Sequence, residues 1–371
     1  MNKVSLIACL LFCFGCKEPF NSPILSQAPH YLVVDGVSQA DDGSGIIRLS
    51  RTRDLNDSIK NLPESGAQVS LINSFSNYIF SETVGGEYRV DLSTLDPTQA
   101  YKLFIRTSDG REYMSDSIFP KQAPPIDSLG WRLAQEGVTI YLNTHDDSKN
   151  SRYYRWEYTE TWEHLAKNYS LLKYVNHNLV SRNPDEQIFT CWKTNSSSNI
   201  LLGSSVKLQE DLIYQQPLQF IVQGEERLAN HYSIIVHEYA LSKEAYEYWE
   251  NLKKNTELRG SLFDPQPSQV NGNMHSTTDP AEPVLGFVSA GSASSKRIFI
   301  NSVDLAYWYY VYPFVCGAPL IVPFGDIDSY FYDSLLYVPL DIGLTGVDAS
   351  NTECGDCRTT GGVNVKPVFF P

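Results

Sequence analysis

The chain has 371 residues, 42% of them hydrophobic and 19% charged, which is enough for two ordinary domains and typical of a folded chain. Aromatics make up 12%, with 23 Tyr against 3 Met, a balance that suits strands and wet surfaces better than helix-bundle cores. The formal net charge is −14, with no basic block longer than two residues, so a nucleic-acid partner, which needs clustered cations, is not expected.

The first sixteen residues read as an address. Lys3 precedes the apolar run Val4–Phe14, which is too short to span a bilayer. The run ends in Phe14-Gly15-Cys16, which resembles the lipobox of bacterial lipoproteins, although Cys13 stands where Leu is usual. In those proteins the peptidase cleaves before the Cys, which then carries acyl chains. The expectation is a signal peptide over 1–15, lipidation at Cys16, and a tether over 16–29 containing Pro19, Pro23 and Pro29. Three acyl chains exceed the two signals needed for stable anchoring. Lys17-Glu18 stands where an Asp would mark inner-membrane retention, and it resembles the export tags of Bacteroidota surface lipoproteins. The expected location is therefore the outer membrane, lipid-anchored and exposed at the cell surface.

From residue 31 the pattern turns to short alternating runs. Strands are expected at 31–37, 45–51, 67–72, 77–80, 86–90, 101–107 and 111–115, the last pair joined by the Asp109-Gly110 turn. Seven strands at roughly ten-residue spacing predict an immunoglobulin-like β-sandwich over 30–120. Pro120–Pro125 then reads as a linker.

A larger β-rich domain is expected over 125–371. Its strands are read at 137–143, 153–162, 189–192, 205–208, 218–222 and 232–239, with Tyr154, Trp156 and Tyr158 sharing one face. One clear helix is expected over 243–256, capped by Ser242, with Ala245, Trp249 and Leu252 on its apolar stripe. A hairpin is expected from 284–290 and 296–301 around a Gly/Ser loop. Ala306–Val315, rich in Tyr and broken by Pro313, reads as a further strand. The fold class is mainly β, and without helix–strand alternation a parallel α/β sheet is excluded.

Four cysteines follow the anchor: Cys191, Cys316, Cys354 and Cys357. An even number in an exported chain predicts disulfides, and spacing leaves all three pairings open. The Cys354–Cys357 C-x-x-C is followed by Thr359-Thr360-Gly361-Gly362 rather than a helix, against a redox role. It has no second pair of ligands at knuckle spacing, against zinc.

No nucleophile elbow, zinc-protease helix or phosphate loop occurs. His231 and His237 share strand parity. Asp326-Ile327-Asp328 would put two carboxylates on one face of an extended segment, the arrangement of glycosidases and calcium sites. Asp146-x-Ser148-x-Asn150 begins like a calcium loop but lacks the Gly and the distal Glu. The best binding candidates are Trp156, Trp162, Tyr307, Trp308, Tyr309 and Tyr310, as a stacking surface or a protein hot spot. No catalytic residue, metal or cofactor is expected.

Several runs together resemble a known family. They are 31–36, the 124–128 linker, Leu241–Trp249, Gly260–Pro267, Gly272-Asn273, Asp279–Phe287, Cys354–Arg358 and Gly361-Gly362. Together they are similar to Bacteroidota lipoproteins catalogued as domain of unknown function 4249. The resemblance implies a surface lipoprotein working beside a TonB-dependent outer-membrane receptor, and it supplies no catalytic residues. The expectation is a non-enzymatic subunit that captures a nutrient for, or caps, an outer-membrane β-barrel. The alternatives are an accessory in outer-membrane protein display or assembly, or a carbohydrate-binding or carbohydrate-active protein using Asp326 and Asp328.

Overall fold

The computed structural model describes residues 30–39, 43–53, 62–257, 270–332 and 336–370. Cys16, its tether and the Gly260–Pro267 run lie outside the described residues. The seven expected N-terminal strands all form: β1 (Leu32–Gln39), β2 (Ser44–Arg51), β3 (Gln68–Ile72), β4 (Asn77–Val84), β5 (Glu87–Asp91), β6 (Lys102–Arg106) and β7 (Glu112–Ser115). They pair antiparallel in the order β1-β2-β5-β4-β3-β6-β7. β4 changes partner midway, with Phe80 opposite Val69 of β3 and Ser81 opposite Arg89 of β5. The sheet thus folds on itself, and Leu32, Ile47, Leu71, Tyr88, Leu103 and Tyr113 meet in one core. Each buried side chain of this size contributes about 1.5–3 kcal/mol. Gly36 sits at a register shift with φ 113°, and a Cβ there would lie 2.4 Å from the Ile46 carbonyl oxygen.

The second half is built on long strands. β8 (Lys121–Gln122) leads into β9 (Ile126–Ala134) and β10 (Gly137–His145), then β11 (Tyr153–Leu165), the hairpin β12 (Leu172–Val175) and β13 (Asn178–Ser181), and β14 (Thr190–Ser196). β15 (Leu201–Ser204), β16 (Leu212–Val222) and β17 (His231–Ala240) follow. Helix α1 (Lys243–Thr256) forms as expected, with Ser242 Oγ accepting from the Ala245 N–H at 3.1 Å. Ala245 is buried, while Trp249 and Leu252 are half-buried. The 205–208 segment is a turn rather than a strand, closed by the Leu208 N–H donating to the Ser205 carbonyl at 2.8 Å.

After residue 270 the chain returns to the first unit. β18 (Met274–Ser276) pairs with β7, and Met274, Val284, Val288 and Ala290 enter the first core. The expected 284–301 hairpin does not form. Residues 284–288 run beside β1 through single bridges at Leu285 and Val288. The Gly/Ser stretch instead belongs to one strand, β19 (Gly291–Asn301), because it pairs with β17 from Ala293 to Asn301. β19 also touches β1 at Ser292↔Gln39 and so joins both halves in a 14-stranded sheet. Its parallel pairings are short contacts of β19 with β1 and β8.

The second core holds Trp156, Tyr154, Tyr232, Ile234, Val138 and Ile140, with alternating β11 residues pointing inward as expected. Glu238 is buried among them, accepting from Trp156 Nε1 at 2.8 Å and Thr144 Oγ1 at 2.9 Å. Burial raises the Glu238 carboxyl, those two hydrogen bonds hold it back, and Asp127 and Asp211 add to the rise, leaving it at about 7. A carboxyl that keeps its proton longer folded than unfolded gives stability that is full below the unfolded value and lost as pH rises through the folded one. Glu238→Gln should therefore remove a stability loss of about 3 kcal/mol between the two values. Urea unfolding across pH 4 to 8 would show this as a flattened profile. Parallel slopes in both proteins would contradict it.

The C-terminal segment adds a small layer: β20 (Leu320–Val322), α2 (Ile327–Phe331), β21 (Tyr337–Ile342), β22 (Val347–Asn351) and α3 (Thr352–Gly355). Its three strands form the sheet β20-β22-β21. The layer docks on residues 167–171, where the Lys167 and Asn168 N–H groups donate to the Cys354 carbonyl and the Leu171 N–H to that of Leu340. All four cysteines are oxidised, as Cys191–Cys357 and Cys316–Cys354, with Cα atoms 5.8 and 5.9 Å apart. No helix among the described residues is long and apolar enough to cross a membrane.

Candidate docking surface

The acid pair is not a pair. Asp326 and Asp328 lie in a 3-10 turn running into α2 rather than on an extended segment, so they do not share a face as strand neighbours would. Asp328 instead lies 3.3 Å from His177, whose ring stacks on Tyr332. Asp146 spends its carboxylate on the N–H groups of Ser148, Asn150 and Ser151 and on Ser148 Oγ, which makes it a closed turn. His231 is bonded to Glu163 and His237 to Ser295. Among the described residues no group of three or more His, Cys, Asp or Glu could hold a metal ion.

The six aromatic candidates divide. Trp156 is core, stacked on Tyr154. Trp162 is partly buried, and its Nε1 donates to Glu226 at 3.2 Å. Residues 306–315 form no strand, yet they alternate. Trp308 packs against the second core and donates through Nε1 to the Glu225 carbonyl at 3.0 Å. Tyr310 donates to Glu226 Oε1 at 3.3 Å and Tyr312 to the Glu353 carbonyl at 3.0 Å. Tyr307 and Tyr309 face outward and are 95% and 76% exposed, followed by exposed Val311 and Val315. Cys316 then closes the segment onto α3 through Cys354.

The same loop lies against the end of β16. Gln223 Nε2 donates to the Tyr307 carbonyl at 2.8 Å, and a Cβ on Gly224 would come within 3.0 Å of the Tyr309 carbonyl oxygen. Phe220 and Val222 are exposed on the outer face of β16, the strand whose end this loop lies against. Tyr307 has φ 65°, a left-handed conformation that costs a bulky residue free energy and persists only where its surroundings impose it. An exposed ring carried on a backbone held at that cost is the mark of a contact surface rather than of a core.

Beneath it lies a charged hub that the sequence did not disclose. Glu226 accepts from His164 Nδ1 (2.6 Å), Lys193 Nζ (2.8 Å), Trp162 and Tyr310. Burial would raise the Glu226 carboxyl, but the hydrogen bonds from His164 and Lys193 pull it down to about 2. It therefore stays ionised and keeps accepting at any ordinary pH. His164 is itself buried and also bonded to Thr360. These partners are up to 196 residues apart, so no local spacing could reveal them.

A family model described as Domain of unknown function (DUF4249) matches residues 17–297. The chain belongs to this family. No curated protein matches it. Among solved structures it is similar over 54% of its length to chitinase ChiA74 from Bacillus thuringiensis, covering 29% of that chain, at 10% identity and a TM-score of 0.13. Similarity at that level carries no argument.

Several DUF4249 segments have a structural explanation. A Cβ on Gly272 would lie 1.7 Å from the Gly286 carbonyl oxygen, and one on Gly286 1.8 Å from that of Val34, so three backbones are stacked at glycine spacing. Asn273 clamps the return strand, donating to the Val288 carbonyl at 2.9 Å and accepting its N–H at 2.8 Å. Glu282 gathers Arg111 (3.2 Å), Arg51 (3.7 Å) and the Tyr113 hydroxyl (3.0 Å). These residues hold the 270–290 return onto the sandwich. The aromatic surface and the stapled layer lie beyond the matched stretch.

Proposed function

We propose that this protein is a lipid-anchored, non-enzymatic subunit of the bacterial cell surface that docks on an outer-membrane β-barrel of the TonB-dependent receptor class, capturing a nutrient for it or capping it. The observation that carries the reading is the exposed aromatic face of Tyr307 and Tyr309 on a backbone held by Gln223. A loop backbone held in place before contact loses less entropy on binding, which helps a small surface gain affinity. The lipobox resemblance supplies the anchor at Cys16. A tether of thirteen residues, 17–29, reaches at most ~45 Å. Confinement to the same membrane raises the effective concentration towards a barrel. The net charge of −14 favours standing off anionic lipid and leaves protein as the natural contact.

Two results are expected. Cys16→Ala should move the protein from the membrane to the soluble fraction, and retention in membranes would refute the anchor. The acylated chain, extracted in mild detergent, should bring a large β-barrel with it. Its repeated recovery alone would refute the docking.

A further inference from the structure

A second site stands apart from the aromatic face. A cleft of about 490 Å³ opens between α1, the 116–121 segment and the 270–290 return, a volume in the range of small-molecule sites. Its charged groups are engaged. Asp116 is bonded by His275 at 3.1 Å, Glu247 faces Lys243 at 3.6 Å, Glu244 bonds Ser242 and its own N–H, and Lys121 donates to the Asn150 carbonyl at 3.4 Å. The lining side-chain groups without a hydrogen-bond or ion-pair partner among the described residues are all neutral: the hydroxyls of Ser117, Tyr248 and Ser289 and the amides of Asn251 and Asn271. Beside them Phe119 presents a ring that is 61% exposed, and Phe287 tilts against Tyr248 with centroids 5.3 Å apart.

We infer that this cleft binds a neutral oligosaccharide. Free amides and hydroxyls match the alternating donors and acceptors of sugar hydroxyls, and an exposed ring offers a face for the apolar side of a pyranose. Three carboxylates against one lysine disfavour an anionic ligand. The inference deepens the nutrient-capture form of the proposed function, and it uses residues remote in sequence from Tyr307 and Tyr309.

The test is calorimetric titration of the full chain in detergent with malto-, cello-, xylo-, manno- and laminarihexaose, and with hexagalacturonate as the anionic control. At least one neutral hexasaccharide should bind. Phe119→Ala and Asn251→Ala should each weaken it about tenfold, with the melting temperature and barrel co-purification unchanged. Failure of every neutral sugar to bind, equal binding of hexagalacturonate, or undiminished binding in the double variant would overturn the inference. Because co-purification is read separately, loss of sugar binding with the barrel retained distinguishes failure of this site from failure of the docking.

Discussion

Replacing Cys191 and Cys357 together by alanine should lower stability by roughly 5 kcal/mol, the chain-entropy cost of releasing a loop this long. The bond spans 166 residues, so it restricts the unfolded chain far more than a local link would. Its second effect is architectural. Cys357 follows α3, whose Cys354 carbonyl takes the Lys167 and Asn168 N–H groups, and Cys354 is bonded to Cys316 at the end of the aromatic loop. The two bonds thus connect β14, the C-terminal layer and the 307–316 segment in series. Paired alanines leave no free thiol to mispair, so guanidinium unfolding reads the bond alone. A loss below about 1 kcal/mol would mean that the layer is held by its hydrogen bonds and packing.

The second large effect is on binding rather than stability. Tyr309→Asp should weaken barrel association about thirtyfold or more, the scale of losing a central aromatic hot spot. Its side chain is 76% exposed and makes no core contact, so the folded state should change by no more than about 0.5 kcal/mol. Tyr307→Gly separates the two properties further. Glycine accepts φ 65° without strain, so stability should hold or rise while association falls. If Tyr307 served the fold, the two would fall together.

What the sequence disclosed follows from what is local. The seven sandwich strands, the inward face Tyr154-Trp156-Tyr158 and the Ser242-capped helix are each set by a period or a cap within one window, and each appears. The strand reading of the aromatic run fails. Trp308, Tyr310 and Tyr312 are pinned by Glu225, Glu226 and Glu353 rather than by a neighbouring strand. The 291–295 stretch reads as a loop because its Gly and Ser make a weak strand pattern, and long antiparallel pairing with β17 overrides that propensity. The pairing of Asp326 with Asp328 fails for the opposite reason, since a short helix replaces the extended backbone that would align them. The Glu226 hub and the 270–290 return depend on contacts between distant residues, for which one sequence holds no signal.

The most direct test of the docking account is photo-crosslinking in the intact membrane. A benzophenone amino acid at position 309 of the acylated chain would sit on the proposed contact face. The same group at Ile79, which is 68% exposed on the N-terminal sandwich, would serve as the control. The account predicts a covalent adduct with a large outer-membrane β-barrel from position 309 and none from position 79. No adduct from 309 above the level at 79 would contradict it.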